Sequence, residues 1–410
     1  MAYLGELDRG LALLEEATEI ARAEGKLDDL MRAYANRTTL LDLDSRREAA
    51  LAVVNDGIRD ARAGGLSATY GAFLRGNAAD ILFQLGRWRE AEYECRAAME
   101  WPPSGVAWFS PTLYLGLLLV ESRADDEAAR LVGQTLLQLE TVPAGQWTAL
   151  VQRAAVSLAL WRGDSADAMS VAEREWERVL ETDDPGQIAF AASTSLEAAA
   201  AASEESRSRR DWAGVAAAIQ LAQKVLPEAE QRLAGSSLSP TLGARREAEL
   251  HLDVARAHLA RLRGRASAPA WDRLAQAWAE IPVPYQQAKA RWWQALATLQ
   301  GTQSRPDARD ALHEAWRIAG ELPAQPLQRA LLDLAVRARI PLPDQRRFSA
   351  ELEGWQLGEV QAAERSALEP ELVAVGPGRA DEARTATGRA IAERLRVAEG
   401  GNGEDRFGLS

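Results

Sequence analysis

The chain has 410 residues, of which 47% are hydrophobic and 26% are charged, and its net charge at pH 7 is −12. An acidic surface repels phosphates, so direct nucleic-acid binding is disfavoured. The densest basic segments, 207–210 and 245–246, are short and flanked by acids, and we interpret them as solvated helix faces or turns. There is neither a signal-peptide pattern nor an apolar run of 18 residues, so we expect a cytoplasmic protein without a membrane partner.

A loose repeat of about 40 residues organises the first half of the chain. Each unit pairs two Ala-rich apolar stretches across a polar turn, and the pattern is sharpest from Ala78 to Pro103. The turn positions are Gly5, Ser45, Gly86, Arg123 and Gly163, each followed five residues later by a small residue at Gly10, Ala50, Ala91, Ala128 and Ala168. This spacing resembles the tetratricopeptide repeat, in which small residues let paired helices approach.

The repeat and the composition predict an all-α fold, a tetratricopeptide-like superhelix of stacked helix pairs. Ala, Leu, Glu and Arg dominate, and no segment alternates with the period of two that a half-buried strand requires. The lone cysteine, Cys95, occupies a core position of its repeat, where we interpret it as a small apolar filler. We expect the repeats to span residues 1–340.

The sequence lacks the patterns of the common catalytic sites, so we expect a protein that is not an enzyme and that needs no cofactor. Gly25 and Lys26 are followed by Leu27, which lacks the hydroxyl of a phosphate-binding loop. His251 and His258 are seven residues apart on one helix, about 10 Å along its axis, so one metal ion cannot bridge them. No Gly-x-Ser-x-Gly motif occurs.

Thirteen tryptophans stand beside only six Phe and six Tyr, and several fall in one segment. Its aromatic residues are Trp271, Trp278, Tyr285, Trp292, Trp293 and Trp316. We interpret this set as packing between helices. The alternative is an aromatic pocket for an apolar or sugar-like ligand at Trp292 and Trp293, since adjacent residues on a helix point about 100° apart.

Residues 341–410 differ from the repeats, and we expect a disordered or partly helical tail that acts as a flexible linker. The Gly-rich segments 376–378 and 400–403 follow no predicted strand, which argues against dinucleotide-binding loops. Residues 388–395 have a helical pattern, but no turn into a basic recognition helix follows. We interpret that segment as a chance helix within the linker.

Several short segments together resemble the large LuxR-type, ATP-dependent transcriptional regulators related to the bacterial maltose regulator. The resemblance covers about 340 residues. The matching segments are Thr69–Leu74, Leu85–Ala91, Ala260–Gly264, Pro269–Trp271, Pro284–Tyr285, Leu312–Ala315 and Arg337–Ile340. Members of this family carry an N-terminal ATPase, a helical-repeat sensor and a C-terminal helix-turn-helix that binds DNA. The resemblance implies that this chain corresponds to the sensor.

The resemblance also bears on the two ends of the chain. Residues 405–410 are similar to those that open the DNA-binding domain in such regulators, and the first residues resemble a turn within a repeat. We therefore expect a fragment or the product of a split gene, with the ATPase and the DNA-binding domain as its partners.

The resemblance further implies that the first helix of each pair lines a concave face. On the best-aligned units this face would carry Arg32, Asn36, Thr39, Phe73, Asn77 and Asp80. Together with Trp292 and Trp293 these are the candidate ligand- or partner-binding residues, although Asn at such positions is also used for internal hydrogen bonding. A clamp for a peptide carboxylate would need lysines there, and none is present, which disfavours a chaperone-adaptor role.

The sequence thus predicts a sensor and interaction module that binds a protein or small-molecule effector on its concave face. The alternative is a freestanding scaffold for peptide or protein partners. Helices at the ends of a repeat stack have one face without a neighbouring repeat, so self-association is also expected.

Overall fold

The computed structural model describes residues 6–100, 105–140, 145–301 and 305–344, and it confirms the all-α prediction. No strand occurs among these residues. The first eight helices are α1 (Leu7–Ala23), α2 (Leu27–Leu43), α3 (Arg47–Ala63), α4 (Ala72–Gln84), α5 (Trp88–Ala98), α6 (Gly105–Ser122), α7 (Asp126–Leu139) and α8 (Thr148–Trp161). The next eight are α9 (Ser165–Leu180), α10 (Pro185–Ser208), α11 (Trp212–Ala234), α12 (Gly243–Leu262), α13 (Ala268–Glu280), α14 (Pro284–Gln300), α15 (Arg305–Glu321) and α16 (Gln325–Ala338).

The predicted turns lie where one helix of a pair ends and the next begins. Ser45, Gly86 and Gly163 have left-handed backbones, with φ of 58°, 79° and 79°. In the third described turn the left-handed residue is Ala124 rather than the predicted Arg123, because Ala124 is the middle one of the three residues between α6 and α7, as Ser45, Gly86 and Gly163 are in their turns. The turn predicted at Gly5 lies outside the described residues.

Some of the described helices begin with a side-chain cap. The Asp125 carboxylate accepts the backbone N–H of Ala128 at 2.9 Å at the start of α7, and Asp164 does the same for Asp167 at the start of α9. Such caps satisfy amides that have no partner within the helix. The starts of these helices are therefore encoded locally, whereas α1 to α5 begin without a side-chain cap.

Consecutive helices pack in antiparallel pairs, and the first helices of successive pairs also contact one another. Helices α4, α6, α8, α10 and α12 form such a series, which we call the inner helices. Their shared core is built mainly from alanine, leucine and valine, and Cys95 is fully buried within it. Burial raises the pKa of the Cys95 thiol, consistent with an inert apolar filler.

The last helices return to the early repeats, a feature that the sequence did not predict. The Tyr285 ring, in the first turn of α14, lies 5.2 Å from the Trp88 ring and 6.5 Å from the Phe83 ring. Farther along α14, Lys289 binds Glu197 of α10, and Trp292 stacks on Trp161 of α8 with 6.0 Å between ring centres. Helix α14 therefore contacts the inner helices α4, α8 and α10 in addition to its neighbours α13 and α15.

The described chain through Leu342 packs as one compact unit. The predicted repeat boundary at 340 and the predicted tail stay predictions, because the residues after 344 lie outside the described part. The predictions for residues 388–395 and 405–410 also concern residues outside the described part.

The Gly86 turn gives a direct test of how tightly α14 docks. A Cβ added to Gly86 would lie 2.7 Å from Leu322 Cδ2 and 2.8 Å from Pro284 Cγ, whereas one added to Gly163, with the same φ, would meet nothing within 4 Å. Both Gly→Ala changes carry a left-handed backbone cost of about 1–2 kcal/mol, and Gly86→Ala adds an overpacking cost of about 1–3 kcal/mol. Urea unfolding should show the larger loss for Gly86→Ala. Equal losses would mean that Leu322 and Pro284 move aside without cost.

Candidate functional site

A cavity of about 250 Å³ lies between the inner helices and the segment that joins α13 to α14. We call it the central cavity. Each of the five inner helices contributes to its wall. Its main polar and aromatic lining residues are Asp80, Phe83, Gln84, Glu121, Arg153, Gln187, Phe190, Glu247, His251, Trp278, Tyr285 and Gln286.

A buried chain of alternating charges begins in the wall of this cavity and joins α14 to three inner helices. Arg153 of α8 donates to Glu121 of α6 at 3.2 Å and to Glu197 of α10 at 3.0 Å. Lys289 of α14 donates to both oxygens of the Glu197 carboxylate at 2.6 and 2.8 Å. The Tyr285 hydroxyl also donates to Glu121. All five side chains are nearly inaccessible to solvent, so their charges depend on one another.

The pKa directions show how this charge chain is balanced. Burial alone would raise the pKa of Glu121 and of Glu197, but Arg153 and Lys289 hold both carboxyls below their usual range. Burial lowers the pKa of Lys289, with a further contribution from the positive charge of Arg153. The two acids and two bases therefore form a neutral group inside the fold.

A second group of acids lies at the other end of the cavity. Glu247 of α12 accepts from Arg47 at 2.6 Å and from the Ser45 hydroxyl at 2.6 Å. Asp80 of α4 accepts from the Tyr114 hydroxyl at 3.0 Å and from the Gln84 amide at 3.4 Å. Burial raises the pKa of Asp80, and burial together with the nearby Asp80 charge raises the pKa of Asp42 to about 7. Three carboxyl groups are thus clustered at this end around the single cation Arg47.

Aromatic rings stand on two sides of the cavity. Phe83, Trp88 and Tyr285 form one group, with Phe83 stacked on Trp88 at 5.2 Å between ring centres. On the other side the His251 ring lies between Phe190, 4.9 Å away, and Trp278, 5.1 Å away. The cavity therefore combines apolar ring faces with buried carboxylates.

A smaller cavity of about 150 Å³ lies beyond the buried charge chain. The rings of Trp161, Trp292 and Trp293 line it, and the Arg261 guanidinium lies 3.9 Å from the Trp293 ring centre. A further space of about 20 Å³ is lined by Arg153 of the central cavity and by Lys289 and Trp293 of the smaller one. The central and the smaller cavity share none of their lining residues.

The structure places the eight candidate residues in four different settings. Asp80 lines the central cavity, whereas its neighbours on α4, Phe73 and Asn77, are half-buried outside that lining. Trp292 and Trp293 line the smaller cavity, with Trp293 buried and Trp292 half-buried. Three residues are exposed on α2: Arg32, Asn36 and Thr39.

The three α2 residues line neither the central cavity nor the smaller one. The Arg32 guanidinium pairs with Asp28 at 2.9 Å, and the Thr39 hydroxyl donates to the carbonyl of Ala35 at 3.0 Å. The predicted set is therefore divided among the exposed face of α2, two half-buried positions on α4 and the two cavities.

The sequence analysis does not select several of the residues that line the cavities, although their sequence positions carry one sign of burial. Glu121 follows the apolar run Leu117–Val120, Arg153 comes two residues after Val151 in the apolar helix α8, and Glu197 lies within an Ala- and Ser-rich helix. A charged residue within an otherwise apolar helix is rarely fully buried unless it is paired. Such positions predict buried ion pairs, although they do not identify the partners.

We expect His251 to make the stability of the fold depend on pH. Burial, with a contribution from Arg153, lowers the pKa of His251 to about 3. As pH falls below about 6.5, the unfolded chain binds a proton at this residue and the folded chain does not, so stability is lost toward pH 3. The contribution is about 1.4 kcal/mol per pH unit.

Urea unfolding of the wild type and of His251→Gln between pH 7 and 4 measures this contribution by difference. The variant should lose less stability per pH unit than the wild type, because its residue 251 binds no proton. If the wild type and the variant lose stability equally with falling pH, His251 binds its proton as readily in the folded chain as in the unfolded chain.

Other kinds of site are not evident in the described part of the chain. No group of three His, Cys, Asp or Glu side chains there is arranged to hold a metal ion. None of its helices is both long and apolar enough to cross a bilayer.

Comparison with known proteins adds little to this picture. No family model and no curated protein matches the sequence. Among solved structures, the chain is similar to the crystal structure of the P58(IPK) TPR domain, with 13% identity over 80% of this chain and 99% of that one. The TM-score is 0.19, so this likeness carries no argument. The repeat architecture rests on the helix pairs and turns of the chain itself.

Proposed function

We propose that the chain is a non-enzymatic sensor and interaction module, and that the central cavity binds its small-molecule effector. Helical repeats offer extended surfaces for binding, which supports a module that recognises rather than transforms its ligand. The observation that carries the proposal is the position of the cavity between two parts of the fold. Asp80 and Arg153 belong to the inner helices, whereas Tyr285 and Gln286 belong to α14.

A ligand in this cavity would contact both parts at once, so it would change the free energy of docking α14 on the inner helices. A ligand shifts a conformational equilibrium only through its different affinities for the two states. An effector that fits the docked arrangement stabilises it, and one that needs more room favours release. The surface that α14 and α16 present to another domain would change accordingly.

In the finer form of the proposal, the module is the sensor of a LuxR-type transcriptional regulator. What supports this is the run of resembling segments from Thr69 to Ile340, several of which lie at the α14 docking site, including Leu85–Ala91 and Pro284–Tyr285. Docking of α14 would then set whether an ATPase and a DNA-binding domain are held or released.

Hydrogen exchange can test the coupling between the cavity and α14. With 2-phenylethanol as a neutral probe near saturation, amide exchange over 284–300 should slow several-fold, because an occupied cavity stabilises the docked helix. Helix α3 does not line the cavity and serves as the internal control. Unchanged exchange in α14 at saturating probe would contradict the sensor proposal.

Sequencing the transcript on both sides of the coding segment tests the finer form. An in-frame phosphate-loop ATPase upstream and a basic helix-turn-helix downstream would support the regulator. Unrelated neighbours would favour the second candidate, a freestanding scaffold for protein or peptide partners. The exposed polar residues Arg32, Asn36 and Thr39 favour that candidate, because α2 leaves them accessible. Light scattering would show whether the chain also binds itself.

A further inference from the structure

The central cavity is lined by more negative than positive charge. Three of its lining residues are acids, Asp80, Glu121 and Glu247, and the described lining has one arginine or lysine, Arg153. That arginine is shared by Glu121 and Glu197, and Glu247 is paired with Arg47. Asp80 is the remaining acid.

The Asp80 carboxylate forms no ion pair within 4.0 Å among the described residues. Arg47, which is paired with Glu247 and Asp42, attracts it only from a greater distance. Its recorded hydrogen bonds come from the neutral groups of Tyr114 and Gln84. Burying an ionised carboxylate without a positive partner is unfavourable, and burial raises the pKa of Asp80 accordingly. A ligand that brings a positive charge would remove this cost.

The rings near Asp80 fit the same kind of ligand. Phe83 follows Asp80 by one helical turn on α4, and Tyr285 lies opposite Phe83 with 6.5 Å between ring centres. Aromatic faces attract organic cations and also pack against apolar groups. His251, neutral at pH 7 because burial lowers its pKa to about 3, adds no competing positive charge.

Size and charge exclude other ligand classes. An anion would meet three acids and a single arginine that is already bound twice, so its binding would be repelled. A neutral apolar ligand would leave Asp80 without a counter-ion. A cavity of 150 Å³ holds benzene in another protein, so the 250 Å³ here suits a molecule of roughly ten non-hydrogen atoms.

We propose that the central cavity binds a small organic cation, with its ammonium group at Asp80 and its apolar body between the two aromatic groups. This inference rests on the proposed function, because it names the chemical class of the effector. The groups facing the ammonium would be the Asp80 carboxylate, the Phe83 ring and the Glu247 carboxylate.

Three probes of matched size and different charge test the proposal at pH 7.5: 2-phenylethylamine, 2-phenylethanol and phenylacetate. Calorimetric titration into the whole chain should rank the amine first, about tenfold or more tighter than the alcohol, with phenylacetate weakest. Asp80→Asn should remove the preference for the amine and leave the affinity for the alcohol within about twofold. Asp29→Asn removes a charge from an exposed position on α2 and is the matched control, expected to change nothing.

A second variant guards against a folding defect in Asp80→Asn. Phe83→Leu keeps the carboxylate and removes one ring face, so it should weaken amine binding several-fold more than alcohol binding. Thermal unfolding establishes that each variant is folded before titration.

The outcomes separate this inference from the proposed function. Equal affinity for amine and alcohol, an unchanged preference in Asp80→Asn, or tighter binding of phenylacetate would each overturn the cation assignment while the cavity remains a binding site. If no probe binds up to about 10 mM, the cation assignment and the cavity's role as effector site both fail. If the amine binds and α14 exchange does not change, the cation assignment stands and the sensor coupling fails.

Discussion

Lys289→Met is expected to destabilise the fold by about 3–5 kcal/mol, because it removes one partner of a buried ion pair. Lys289 is 6% exposed and its ammonium bonds both oxygens of Glu197. Without it, Glu121 and Glu197 share the single positive charge of Arg153, and the neutral group becomes a net negative one inside the fold. Urea unfolding monitored by tryptophan fluorescence measures the loss.

The chain offers its own control for this prediction. Lys224 pairs with Glu177 at 2.5 Å, but the two side chains are 50% and 60% exposed. Such a pair contributes about 0–1 kcal/mol, so Lys224→Met should have little effect. Adding Glu197→Gln to Lys289→Met should restore part of the stability, because the excess negative charge disappears. Losses of similar size for the two lysine variants would contradict a buried charge chain.

The repeat could be predicted because its signals are local. Left-handed turns at Gly86 and Gly163, followed by small residues where helices approach, are visible in short windows of sequence. These features determine which helices pair with their neighbours. They also explain why the one misplaced turn, at Ala124, is wrong by only one residue.

The return of α14 could not be predicted from such signals. Lys289 meets Glu197 from 92 residues away, and Tyr285 meets Glu121 from 164 residues away. Many pairings of buried charges fit the same composition, and local spacing does not choose among them. Lys289 is one of only three lysines in the chain, and its structural role depends on this tertiary contact.

The same limit explains the outcome at the candidate site. Asp80 was selected as a residue of the concave face, and it does line the central cavity. The sequence analysis assumed an open repeat surface and therefore also selected Arg32 and Asn36 on α2. Helix α2 contributes no residue to the lining of the central cavity. The chamber exists because distant helices cover the inner ones, and that arrangement depends on the tertiary fold.

Trp271→Ala is expected to destabilise the fold by about 3–5 kcal/mol, because it removes a buried indole. Trp271 is 2% exposed and packs against His258, 4.9 Å between ring centres, and Trp293, 6.1 Å away. Trp212→Ala is the matched control, since that side chain is 67% exposed and its loss should fall within about 0.5 kcal/mol. Urea unfolding by circular dichroism avoids the change in fluorescence. A small loss for Trp271→Ala would contradict its packing role and favour a ligand surface, because a ring that packs only against a bound molecule adds little to the stability of the free protein.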